Sequence, residues 1–249
     1  MPLVNRELTH PLTQLLMTVA DDAWMMGQAG LSWVGQAPTS DEGLLEATLS
    51  QIYLRHAYQL YAFVTAMRAP VPSPPGYSRP LDRWRHAGLL GEPSPHWAEW
   101  LIRSYCFEVF DSIRRQALRH IAFAPLVALW DAIEAERHGY SQRLFIRLFH
   151  WGQQDQRARD DLQAALTQDW PFLADFSEWG TPDTAWAAWD VAEMRPSALR
   201  QQFLHQITPQ LTQVGLVIPR DLPPPGRRAR HHTFPDDAAF PIHRSLAQA

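Results

Sequence analysis

Six of the chain's 21 prolines fall between residues 69 and 93, in the stretch APVPSPPGYSRPLDRWRHAGLLGEP. Proline removes a backbone donor and fixes φ, so no continuous helix crosses this segment. The flanking sequence is periodic. A first block, 5–34, carries Leu15, Leu16, Val19, Ala23, Met26, Gly30 and Trp33 at helical spacing. After the short link GQAPTS, Ser40 reads as an N-cap, with Asp41 and Glu42 at the positive end of a second helix, 41–67. Its stripe is Leu45, Leu49, Ile52, His56, Leu60, Phe63 and Met67. Ser94 before Pro95 signals a third block, 95–119, and a tight turn to Pro125 opens a fourth, 124–151. Short, long and short links make the first two blocks antiparallel, and likewise the last two, with one crossover between the pairs.

That connectivity is the one of ferritin-like four-helix bundles. Smaller helices are predicted at about 155–168, 181–192 and 196–214, and the proline-rich end, 220–249, reads as an extended arm. No segment reads as a strand. The expected fold is all-α, a single ferritin-like domain over 1–249.

A net charge of -4 argues against a nucleic-acid partner. Residues 23–40 lack charges but contain Gly27, Gly30, Gly35 and Pro38, so they do not suit a membrane span. The start, MPLVNRELTH, has no basic region followed by an apolar run, so a cytoplasmic location is expected. Cys106 is the only cysteine, which excludes an intrachain disulfide and a Cys-rich zinc site.

Ferritin-like di-iron proteins place a Glu on each of two helices and Glu-x-x-His on each of the other two. The three-residue spacing puts carboxylate and imidazole on one face, and the acids balance the metal charge in a dry core. Only Glu7 and His10 match that motif here, and Pro11 disfavours helical geometry at His10. Tyr53 stands three residues before His56, Ala135 before His138, and Arg147 before His150. No metal or other cofactor is assigned from the sequence.

The run ADDAWMMGQAGLSWVGQAPTSDE, residues 20–42, resembles the first-helix and turn segment of the structural C subunit family of bacterial phenylacetyl-CoA epoxidase. Asp21, Asp22, Gly27, Ser32, Trp33, Gly35, Ala37, Pro38, Asp41 and Glu42 carry the resemblance. The run RRARHHT, 227–233, is similar to a basic His-Thr element near that subunit's C-terminus, and Asp236 and Asp237 follow it. The resemblance implies a ferritin-like, metal-free subunit that supports a di-iron catalytic relative in a complex for oxygen-dependent ring epoxidation, with electrons from a separate reductase. Against the catalytic subunit's pattern, the Glu-x-x-His of the second helix falls on Arg55 and Tyr58. Two features depart from the C subunit: LRHAY replaces small residues in the second helix, and the tail is shorter.

Asp22, Arg55, Tyr58, Glu108, Glu134 and His138 are therefore expected to mark a degenerate di-iron centre or buried polar cluster. A buried Arg55 needs an acid, from Asp22, Glu108 or Glu134; the alternative is that Arg55 snorkels to solvent with Tyr58 at an edge. Glu134 and His138, four apart, can share a helix face, and Glu108, Asp111 and Asp22 could add carboxylates. A stand-alone enzyme using such an acid cluster, with a single metal or none, is the competing reading. A self-associating homodimer without a catalytic partner is a third. Cys106 reads as a small core residue. Trp97, Trp100, Trp179, Trp186 and Trp189 are candidates for an interface, while Arg227, Arg228, Arg230, His231 and His232 could meet an acidic partner helix or coenzyme A phosphates.

Overall fold

Thr39, not Ser40, caps the second helix: its hydroxyl accepts the Glu42 N–H at 3.2 Å. The computed structural model describes residues 6–67, 84–121, 123–177, 195–220 and 222, with backbone alone for 6–11 and 196. Its helices are α1 (Arg6–Trp33), α2 (Ser40–Ala66), α3 (Gly88–Gly91), α4 (Trp97–Leu118), α5 (Ala124–Arg137), α6 (Tyr140–Gly152), α7 (Gln156–Asp169) and α8 (Pro196–Val214), with a 3-10 segment at Trp170–Ser177. No strand occurs among the described residues, and the fold class is all-α. No helix among them is long and apolar enough to cross a membrane.

Three local expectations are corrected. α1 runs through His10 and Pro11, so Pro11 does not take His10 out of helical geometry. α4 is capped at His96 rather than Ser94. The fourth predicted block, 124–151, is two helices: α5 ends at Arg137, His138 turns to ψ 125°, and Gly139 takes φ 76°. A left-handed residue at that point favours glycine, which has no Cβ to clash. Gly215 plays the same part after α8 at φ 94°, where the Leu216 N–H reaches the Leu211 carbonyl at 3.0 Å and the Gly215 N–H that of Thr212 at 2.9 Å. This six-to-one and five-to-two pair of bonds is a Schellman stop. The predicted helix at 181–192 and nearly all of the arm lie outside the described residues.

The described residues divide into two compact units, one within Thr13–Ser94 and one within Pro95–Gly226, the latter with the start of α1. In the first, α1 and α2 run antiparallel: Asp21 meets Tyr61, Trp24 meets Tyr58, and Gly27 meets Leu54, so partners recede on one helix as they advance on the other. A Cβ at Gly27 would sit 2.7 Å from Leu54 Cγ and 3.0 Å from the Ser50 carbonyl oxygen, so glycine sets the close approach. In the second unit α4 is central, packed by α5, α6, α7, α8 and the 3-10 segment. Phe107 and Phe110 both meet the Phe176 ring at 5.7 Å, and Phe110 reaches Phe203 at 5.9 Å. Apolar and aromatic burial of this kind supplies most of a helical core's stabilisation.

Candidate functional site

A helix covered on every side is normally apolar all round. α4 is buried at nearly every position, yet Arg103, Glu108, Asp111, Arg114 and Arg115 are all inside. Their spacing shows how this is tolerated. Asp111 with Arg114 and Arg115 are three and four apart on one helical face, and α5 brings Arg137 and Glu134, also three apart, against that face.

Arg114 Nε donates to Asp111 Oδ1 at 3.0 Å, with a second bond from Nη2 to the same oxygen. Arg115 is the hub. Its Nη1 donates to Asp111 Oδ2, its Nη2 to Glu108 Oε1 at 3.3 Å, and its Nε to Glu134 Oε2 at 3.1 Å. Arg137 Nη1 donates to Asp111 Oδ2 at 2.5 Å, and Nη2 to Glu108 Oε2. Three guanidiniums thus face three carboxyl groups, and the formal charges cancel. Burial by itself would raise the Asp111 carboxyl, but the charges of Arg114, Arg137 and Arg115, with the Arg114 hydrogen bond, hold it well below the usual carboxylate range. Only Glu134, a quarter exposed, opens the network towards water.

A second buried pair ties α4 to α7: Arg103 Nε and Nη2 grip Asp169 Oδ2 and Oδ1 at 3.0 and 3.1 Å, a two-pronged contact that only arginine makes. One turn earlier, Glu99 is buried, and among the described residues no hydrogen-bond donor reaches its Oε2. Burial raises its carboxyl, the charges of His96 and Arg103 lower it, and Asp169 raises it again, with a net upward shift.

The other unit satisfies its acids differently. Asp21 Oδ1 accepts from the Tyr61 hydroxyl at 2.7 Å, and Oδ2 from the Arg85 backbone N–H at 2.7 Å. Asp22 Oδ1 accepts from the Ala87 N–H at 2.7 Å. The Asp-Asp pair therefore clamps the backbone at 85–87, just before α3.

The expected site residues are divided between the two units. Glu108 and Glu134 meet in the network of α4 and α5, while Asp22 belongs to the clamp of the other unit. Arg55 is exposed, not buried among acids, and Tyr58 is 52% exposed with its ring edge-on to Trp24. In LRHAYQLY the inward side chains with polar atoms are His56 and Tyr61, beside the buried Ala57 and Leu60. His138 is exposed beyond the end of α5, and Glu134 turns to Arg115 instead of to it. Cys106 is fully buried and its thiol is pushed up by burial, as suits a core residue. Trp97 and Trp100 are buried; Trp179, Trp186 and Trp189 lie outside the described residues, as do Arg227, Arg228, Arg230, His231 and His232. Sequence reasoning missed the cations. Arg114, Arg115 and Arg137 were visible as three- and four-residue spacings from Asp111 and Glu134, but nothing in a single sequence marks which arginines are buried.

Iron does not fit this network. Each carboxyl group already holds a fixed guanidinium, and a divalent ion placed among them would meet three positive charges at short range. Arg137 stands three residues after Glu134, where a Glu-x-x-His motif would have its imidazole. Among the described residues, no group of three or more His, Cys, Asp or Glu side chains is disposed to hold a metal ion.

The family described as phenylacetic acid catabolic protein matches residues 4–239. The A subunit of 1,2-phenylacetyl-CoA epoxidase from Escherichia coli (strain K12) is 21% identical over 193 residues, covering 76% of this chain and 62% of that protein. With nearly the whole length matched, the chain belongs to the phenylacetic acid catabolic protein family.

Proposed function

We propose that this chain is a noncatalytic structural subunit of a phenylacetyl-CoA epoxidase-type monooxygenase, and that residues 1–249 form one ferritin-like helical domain supporting a di-iron relative. The observation that supports this most is the network of Arg114, Arg115 and Arg137 on Glu108, Asp111 and Glu134. Likeness to an A subunit leaves the division of labour to the site residues, and here the acids are neutralised by the chain's own guanidiniums. The network is the degenerate centre of the proposal, built from α4 and α5 rather than around Arg55 and Tyr58. A helical chain so stabilised contributes by burying surface against its partner and favouring the partner's active conformation through mass action. The arm residues Arg227, Arg228, Arg230 and His231 are assigned to contact with an acidic partner helix or with coenzyme A phosphates.

Co-expression with the iron-bearing and reductase genes of its host tests this reading. The expected outcome is co-elution with the iron-bearing chain, iron in the complex but not in this chain alone, and loss of phenylacetyl-CoA turnover when this chain is omitted. Stoichiometric iron in the isolated chain, lost in Glu134→Ala, would establish the stand-alone enzyme instead. A homodimer indifferent to the other chains would establish self-association.

A further inference from the structure

The outward side of α2 repeats every seven residues. Asp41, Thr48, Arg55 and Ala62 recur at that interval, as do Leu44, Gln51, Tyr58 and Thr65, and all eight are exposed. Alternating steps of three and four keep such residues in one line along the helix, the seam by which two helices pair. The line is also short of charge. From Gly43 to the end of α2 the charged side chains are Glu46, which is buried, and Arg55. A solvated helix face is ordinarily polar and charged, whereas this one presents Leu44 at 69% and Tyr58 at 52% exposed. At its N-terminal end Val34 and Leu31 of α1 add two more exposed apolar side chains, beside Gly43, where a Cβ would sit 2.5 Å from the Val34 carbonyl oxygen.

We propose that α2 pairs antiparallel with the α2 of a second copy of this chain, about a twofold axis passing between Thr48 and Gln51. The seam is self-complementary in that register. Thr48 stands opposite Gln51 of the second copy, hydroxyl against amide, and each contact is made twice, as twofold symmetry requires. Leu44 lies against the stem of Arg55 of the second copy, and Asp41 is level with its Tyr58. Asp41 stands three residues from the level of that Arg55, about 4.5 Å along the axis, which the arginine side chain spans. The exposed acid at one end of the seam thus meets the exposed cation at the other, once at each end of the pair. Ala62 of the second copy runs on past the start of α2 towards Val34. A single-helix seam is small for a protein interface, so the pair is weak and reversible, with a Kd of about 10 µM to about 1 mM. Dilute chain is monomeric. The pairing uses this chain alone and does not depend on the proposed function.

Sedimentation equilibrium of the full chain over that concentration range tests it. The expected result is a reversible rise in mass from one copy to two. Asp41→Arg sets two guanidiniums together at each end of the seam, and Arg55→Asp two carboxylates, so each should raise Kd by about tenfold or more. Both positions are exposed, and circular dichroism checks that helix content is kept. Mixed in equal amounts, the two variants should pair again at the strength of the unaltered chain, because each then meets the opposite charge at both ends. A mass that stays at one copy throughout, a dimer that neither substitution weakens, or two variants that fail to rescue each other overturns the pairing. So does a chain that is monomeric alone and buries α2 only against another protein. The experiment contains no iron-bearing chain, so its failure leaves the structural role in the complex standing, and failure of that role leaves the pairing intact.

Discussion

α1 and α4 face the same problem and solve it with different chemistry. Each is enclosed on almost every side, and each carries acids into its interior. On α1, Asp21 and Asp22 accept from a phenol and two backbone N–H groups, which are neutral donors. On α4, Glu108 and Asp111 accept from three guanidiniums. Neutral donors let a carboxylate organise backbone, because the orphan N–H groups of a non-helical segment need acceptors. Cations let it join helices, because each guanidinium reaches several acids at once. The second solution also removes the charge deficit that would attract a metal.

The widest gap between the two regions should appear on cutting the hub. Arg115→Met leaves Glu108, Asp111 and Glu134 to share two guanidiniums in a buried setting, and should destabilise by about 3–5 kcal/mol. Equilibrium denaturation by urea reads this directly, and a loss under about 1 kcal/mol would show that Arg114 and Arg137 re-form the network without it. Replacing the whole network by apolar side chains is a separate question, since such exchanges are often neutral.

The clamp should be weaker. Asp22→Ala leaves the Ala87 N–H buried without its acceptor, at a cost of about 1–3 kcal/mol. The effect should be local, with faster amide exchange at Ala87 and little change on α4. Equal protection loss across both units would mean that the clamp acts on the fold as a whole and that α1 and α4 do not hold their acids independently.

Protons give a signed version of the contrast within α4 itself. Asp111 is held ionised below its ordinary value, so as pH falls past about 3.9 the unfolded chain binds a proton that the folded chain refuses. Its contribution is therefore present above that pH and lost in acid. Glu99 has the opposite sign. Its carboxyl is raised from 4.5, mainly by burial, so the folded chain keeps the proton longer and stability falls as pH rises through the raised value. Glu99→Gln should flatten that decline and leave the acid limb alone, as a pH series of denaturation curves would show. An unchanged slope in Glu99→Gln would place the titration on another group.

Much of this fold was legible. Proline density marked the link between α2 and α4, and apolar spacing gave the long helices to within a few residues, because both signals are local. The break at Gly139 was equally local: a glycine after Arg137 and His138 is a stop signal, masked in the sequence by the apolar run that continues through Leu144 and Leu148. The site was less legible. Glu108 and Glu134 could be singled out as bundle acids, but which cation meets them depends on burial, and burial is set by neighbours distant in sequence. Arg55 and Arg115 look alike in a sequence. One is on the surface, the other is 2% exposed.

The smallest effect is predicted at that first arginine. Had Arg55 been buried against acids, Arg55→Leu would cost about 3–5 kcal/mol. On the exposed face of α2, beside a Tyr58 that packs edge-on to Trp24, the same change should fall within about 0.5 kcal/mol of zero. Exposed ion pairs contribute little, and the arginine stem can be replaced by leucine without opening a cavity. Measured beside Arg115→Met in the same denaturant series, the pair isolates burial as the variable, since charge type and helical setting are matched. A loss at Arg55 as large as at Arg115 would mean that α2 is covered by something in solution, and a second copy of the chain would be the first occupant to test by sedimentation.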